Sequence, residues 1–276
     1  MNKQRASRMA VHIALILYTL LAIGPVLLIL VNSFKSRRAI FSSPLSLPFG
    51  KAFSLVGYDS VLAKADFGLY FVNSLTVTVV SLALVLFFGA MSAWALTEYR
   101  FRGNALVGLF MAIGIMVPIR LGSVSILKMM VGLGLVNTLT ALILVYAAMG
   151  LPLAIFILAE FIQQVPRDLR DAARCDGVSE YRIFYAVILP LIRPALATVA
   201  VFTMVPIWND LWFPLILAPG RDTQTVTLGV QQFIGQYVTD WNAVLASLSL
   251  AIAPILVLYL LFSRSLVRGL TAGAVK

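Results

Sequence analysis

Six stretches of this chain, near 11–31, 71–96, 105–118, 139–158, 188–217 and 243–263, are almost free of charge. Most are long enough to cross a ~30 Å hydrocarbon layer as a helix of about 20 residues. The third is short if it stops at Pro118, and then tilts or continues irregularly. No segment alternates apolar and polar residues as a barrel would, so only helices can satisfy backbone groups in lipid. At 276 residues, 61% hydrophobic and 12% charged, the composition agrees. The expected fold class is an all-α integral membrane protein with six transmembrane helices. The first run follows a basic start, lacks a clear small-residue cleavage site, and is read as a retained span.

Six spans put both ends on one side. The tails at 1–10 and 264–276 and the loops at 97–104 and 159–187 hold twelve Lys and Arg, against eight on the opposite side. That favours both termini in the cytoplasm, weakly, because Lys35, Arg37 and Arg38 follow the first span on the wrong side. The net charge of +10 therefore reads as membrane orientation, with lipid and no nucleic acid as partner. A lone cysteine, Cys175, and a lone histidine, His12, leave no disulfide, CxxC site or histidine-based metal or catalytic centre. No phosphate-binding loop is present: Gly50-Lys51 lacks the first glycine, position 45 being Leu. No cofactor is expected on this chain.

The most charged break, 159–187, carries helix punctuation. Pro166 suits a first helical position, Asp168 the positive end of the helix dipole, and Gly177 a left-handed cap. Ser179 can cap a second helix, with Glu180 in its first turn. Leu169, Ala172 and Ala173 then share a stripe flanked by Arg167, Arg170, Asp171 and Arg174, which suits either a docking knob or an ordinary solvated loop.

Within the fifth run, Trp208, Asn209, Asp210 and Trp212 interrupt the apolar sequence. An ionised Asp at a helix centre costs about 3 kcal/mol on insertion scales, so it needs water, a partner or a helix break. It lines a polar pathway or joins helices by hydrogen bonds. Asn73 and Ser74, opening the second span, read as capping and interhelical hydrogen bonding.

Asp171-Ala172-Ala173, Gly177, Val187 and Leu189-Pro190 resemble the "EAA" loop of ABC importer permeases, E-A-A-x3-G-x9-I-x-L-P, with Asp for Glu and Val for Ile. The likeness extends to "NSFKS", "YFVNSL", "SAWALTEYRFRG", "MVPIR", "GLGLVNTLTALIL", "PIWNDLWFPLIL" and "GLTAGAVK", in the order of the carbohydrate-importer branch and its maltose-type second permease. The resemblance implies a cytoplasmic coupling helix between the fourth and fifth spans. Arg170, Asp171, Ala172, Ala173, Asp176, Gly177, Leu189 and Pro190 would serve the ATPase contact. It also implies a homologous second permease subunit, two ATP-binding subunits carrying ATP and Mg, and an extracytoplasmic sugar-binding protein. Gln231, Gln232 and Gln236 would offer that binding protein polar contacts. The implied location is the bacterial inner membrane. The rivals are a self-sufficient secondary transporter, for which no internal repeat is visible, and a membrane enzyme, for which no catalytic cluster is.

Overall fold

The computed structural model describes residues 3–64, 66–235 and 239–272, with side chains over 8–63, 66–235 and 239–257. In chain order the helices are α1 (Lys3–Ser33), α2 (Arg37–Ser42), α3 (Val56–Lys64), α4 (Phe67–Glu98), α5 (Asn104–Met116), α6 (Ser123–Gly132) and α7 (Leu139–Gln163). Then follow α8 (Arg167–Cys175), α9 (Glu180–Ile183), α10 (Leu189–Leu191), α11 (Arg193–Asn209), α12 (Trp212–Leu217), α13 (Val226–Val230) and α14 (Trp241–Ala272). Among the described residues there is no strand, only isolated bridges at Lys35–Phe53 and Ile234–Thr239.

The apolar runs became helices, but not six straight ones. Arg8–Ser33, Phe67–Glu98 and Leu139–Gln163 are each long and apolar enough to cross a membrane. The third run bends by 89° between Asn104–Met116 and Ile119–Gly132. Val117 there is extended (φ −79°, ψ 121°), as expected of the residue before a proline, here Pro118. The fifth run, expected as one span over 188–217, is several pieces. A π-helical turn at Phe184–Ile188 precedes α10, and Glu180–Leu191 meets Arg193–Asn209 at 76°. Pro190 and Pro194 lack the N–H groups that would continue the ladder. α11 stops at Asp210, whose backbone is extended (φ −72°, ψ 132°).

The chain divides into two compact units, Met1–Phe67 with Gly229–Pro254, and Gly68–Leu228 with Ile255–Lys276. In the first, none of the most apolar window of α1 is buried. Lys35, one of the charges that blurred the sidedness count, is wholly buried. Its Nζ donates to the carbonyls of Ser43 and Pro44, both at 2.9 Å, and burial pushes its pKa down. It pins the turn after α1 and presents no charge to a membrane surface.

In the second unit, α7 is the central element, packed by α5, α11 and α12. Gly150 lies where α4, α7 and α11 approach: a Cβ there would sit 2.7 Å from Val85 Cγ2 and 3.2 Å from Thr203 Cγ2. One apolar cluster, including Ala93, Trp94, Leu158, Ile162, Ile183, Phe184 and Ile188, underlies the α8–α9 loop. A second, around Leu142, Tyr146, Phe213 and Leu217, supports the α11–α12 break.

Candidate functional site

The polar break of the sequence forms α8, nine residues long. Pro166 stands just before it, one position earlier than its punctuation suggested, and Asp168 lies in the first turn. Gly177 adopts φ +74° and donates its N–H to Arg174 O at 3.0 Å, while Val178 N–H reaches Ala173 O at 3.0 Å. These two bonds form a Schellman motif, which needs the left-handed residue. Ala173 and Val178 both pack on the apolar cluster below. Ser179 precedes α9 as expected, but its side chain makes no capping bond.

Two pairs at i, i+4 spacing face each other and clamp α8. Trp94 and Glu98 project from the end of α4, Arg170 and Arg174 from α8. The Arg170 guanidinium lies 5.7 Å from the Trp94 ring centre and pairs with Glu98 Oε2 through Nη1. Its Nη2 donates to Val165 O at 3.3 Å. Arg174 reaches Glu98 Oε1 from Nη2 at 2.5 Å, Glu180 Oε1 from Nε at 2.7 Å and Asp171 Oδ1 from Nη1 at 3.1 Å. Tyr99 donates to Glu180 Oε2 at 2.8 Å. Hydrogen bonds to Glu180 and Glu98 push the Arg174 pKa up. The Arg174 bond in turn holds Glu180 below the usual carboxylate range, so this pair is ionised at neutral pH.

Arg170 flanks the stripe and makes its ion pair, but on the inner side: only 4% of its side chain is exposed, because Trp94 and Glu98 draw it inward. Leu169 and Ala172 are exposed, Ala173 half-buried. Asp171 is exposed and bonds only within its own helix. Asp176 is an exposed cap, while Leu189 and Pro190 are partly buried, Leu189 against the cluster. Cys175, the lone cysteine, is exposed.

At the α11–α12 break, Asp210 is a hub. Its Oδ2 accepts from Tyr146 Oη at 2.9 Å and from the N–H of Phe213 at 3.1 Å. Its Oδ1 accepts from Arg120 Nη2 at 3.2 Å and from the N–H of Trp212 at 3.3 Å. Thr227 donates to its carbonyl at 2.7 Å. The expected quartet does not stay together. Trp208 is buried edge-to-face against Phe71, 5.7 Å between ring centres, which leaves no face for a solute. Asn209 is exposed and donates to Val205 O; Trp212, half-exposed, donates to Ser123 Oγ at 2.8 Å. Beside Asp210 and Arg120 lies a cavity of about 230 Å³ also lined by Tyr146, Met149, Phe202 and Thr203. Asn73 donates to Asp222 O and Gln224 O and so ties α4 to the loop before α13, while Ser74 Oγ accepts from the N–H of Val226, the first residue of α13, a bond between two helices as expected.

Gln231 and Gln232 are exposed, and Gln232 lines a separate cavity with Arg37 and Asp240; Gln236 lies outside the described residues. Sequence reasoning missed Glu98, Arg120 and Tyr146. For Glu98 the signal was present: an acid four residues after a Trp at the end of an apolar run, opposite a loop of arginines. Arg120 and Tyr146 gave none, since their distance from Asp210 along the chain hides the pairing.

Comparison with known proteins gives a consistent answer. The family model described as "binding-protein-dependent transport system inner membrane component" matches residues 85–272. The diacetylchitobiose uptake system permease protein NgcG of Streptomyces coelicolor is 35% identical over 264 residues, covering 95% of this chain and 87% of its own. The probable starch degradation products transport system permease protein AmyC of Thermoanaerobacterium thermosulfurigenes is 34% identical, covering 95% and 94%. A chain from the crystal structure of a bacterial ABC transporter that imports the acidic polysaccharide alginate superposes with a TM-score of 0.82 at 21% identity. The match covers 96% of this chain and 98% of that one, a likeness of fold. With the matched segment spanning both the α8 loop and the Asp210 break, the chain belongs to the family of binding-protein-dependent transport system inner membrane components.

Proposed function

We propose that this chain is the membrane-spanning subunit of an ATP-driven, binding-protein-dependent importer for a sugar. In this reading it forms half of the translocation path beside a homologous permease, and a separate pair of ATPase subunits carries ATP and Mg. An extracytoplasmic sugar-binding protein delivers the solute, meeting Gln231, Gln232 and Gln236. The chain catalyses no reaction itself. The six crossings are α1, α4, the bent α5–α6 pair, α7, the bent α9–α11 segment and α14, with both termini cytoplasmic.

The observation that carries the reading is the α8 clamp. Arg170 and Arg174 fasten the inner side of a short helix to α4 and α9, while Leu169, Ala172 and Asp171 stay on its open side. A helix mounted in this way, with an open outer face centred on Ala172, can pass a push from a partner into the apolar core beneath Ala173 and Val178. Sugar as the solute rests on the names of the relatives, which concern diacetylchitobiose and starch products. Asp210, Asn209 and Trp212 are the proposed polar groups along the path; Trp208 serves packing.

The test is purification of the full chain from its native membrane. An ATPase subunit is expected to accompany it and to be lost from Ala172→Arg, whose side chain would fill the contact. Gly177→Val, which strains the left-handed cap, should weaken the association less completely. Sugar uptake that persists after ATP depletion, or an unaltered complex with Ala172→Arg, would count against the proposal.

A further inference from the structure

The structure assigns a second ligand to this chain: an anionic phospholipid, whose headgroup phosphate sits in a pocket of arginines beside the α8 clamp. A cavity of about 420 Å³ opens between the end of α4, the start of α5, the end of α7 and the start of α8. Arg100, Arg167 and Arg170 line it with Tyr99, Asn104 and Gln163, and no carboxylate does. The nearby acids are already engaged: Glu98 by Arg170 and Arg174, Glu180 and Asp171 by Arg174. Arg100 and Arg167 are exposed and form no ion pair among the described residues. Arg170 is buried, yet its Nε has no hydrogen-bond partner. The Asn104 amide is spent on Leu96 O and Tyr99 O, closing carbonyls at the end of α4 that would otherwise repel an anion.

Two guanidinium groups without an ion pair, Arg100 and Arg167, line one pocket beside the free Nε of Arg170, and such donors match the oxygens of a phosphate. Place along the fold selects a lipid over a soluble anion. The pocket lies at the ends of apolar helices, where α5 begins at its rim. None of α5 is buried; Leu106 is 70% and Phe110 68% exposed, offering an apolar track for acyl chains next to the charged head. Basic pockets between spanning helices at the cytoplasmic surface bind acidic headgroups in this way. Assignment to the cytoplasmic leaflet rests on the function proposed above, whereas binding itself does not. The headgroup would lie against the residue that clamps α8, so lipid occupancy and the seating of the coupling helix share Arg170.

Lipid retained by the full chain, purified in mild detergent with whatever subunits accompany it, can be measured by mass spectrometry after loading with phosphatidylglycerol or phosphatidylcholine of the same acyl chains. Wild-type protein should retain phosphatidylglycerol in preference by about tenfold, and less so at high salt. Each neutralised arginine should lower that retention by up to about fivefold, so R100Q/R167Q should lose the preference altogether. R100K/R167K, which keeps the charge if the glutamines disturb folding, should retain much of it. Arg182→Gln, outside the pocket, should behave as wild type. Equal retention of both lipids, full retention by R100Q/R167Q, or displacement by millimolar inorganic phosphate would overturn the inference. So would a double variant that keeps the lipid but sheds the ATPase, since the pocket would then be a subunit contact. Absence of an ATPase from every preparation with lipid preference intact would sink the transport reading and leave the lipid site standing.

Discussion

At the scale of single residues, Glu98 carries more than any residue singled out from the sequence. One carboxylate, with 11% of its side chain exposed, accepts from both arginines of α8. Removing its charge leaves Arg170 buried with neutral partners alone: the Val165 carbonyl, the Trp94 face and at most one amide oxygen. Breaking a buried pair by taking away one member costs about 3–5 kcal/mol. Glu98→Gln should therefore lower the midpoint of thermal unfolding in detergent by several degrees and loosen α8, read as faster amide exchange over 167–178. Asp171→Asn removes only an exposed intrahelical pair, worth a few tenths of a kcal/mol, and should change neither. Equal effects of the two substitutions would remove the clamp from this account. The Asp for Glu departure at position 171 is thus mild for the fold, because the anchoring charge is on α4.

Among the elements, α7 sets the geometry that both sites depend on. Its Gly150 lets α4 and α11 come close; Gly89 on α4 does the same, a Cβ there lying 3.0 Å from Ala154 Cβ. Small residues at such crossings are how helices pack where no hydrophobic drive separates them from lipid. Gly150→Val would push against Val85 and Thr203 and also crowd the cavity next to Asp210. Overpacking of this kind costs about 1–3 kcal/mol. The expected result is reduced thermal stability with a larger loss of sugar uptake, while Gly24→Val on α1, where a Cβ meets nothing, should leave stability unchanged. If Gly150→Val is as stable and active as the parent, the close approach of these helices is not needed.

At the scale of the molecule, hydropathy alone exposed the helical class and the approximate runs, because burying backbone groups in lipid leaves few choices. It did not expose the bends. Pro118 and Pro190-Leu191-Ile192-Arg193-Pro194 were visible as letters, but a proline in an apolar run kinks or ends a helix according to tertiary packing. The α8 loop was legible through Pro166 and Gly177, since cap chemistry is local; the Arg120–Asp210–Tyr146 cluster was not, since its members lie up to 90 residues apart. That cluster joins the turn before α6, the middle of α7 and the α11–α12 break, and α11 and α7 pack together above the same core that seats α8. A movement of α8 passed into α11 would reach Asp210, where the chain is already broken and its N–H groups are held by one carboxylate. Asp210→Asn keeps the size but drops the charge and one acceptor oxygen facing Arg120, Tyr146 and two backbone N–H groups. The expected phenotype is separation of the two ends: the ATPase still co-purifies, since α8 is untouched, while sugar uptake falls about tenfold or more. Ala172→Arg should do the reverse, losing the ATPase from a chain whose Asp210 cluster and thermal stability are unchanged. If Asp210→Asn sheds the ATPase as well, the two sites form one folding unit and the break at Asp210 is not a step in transport.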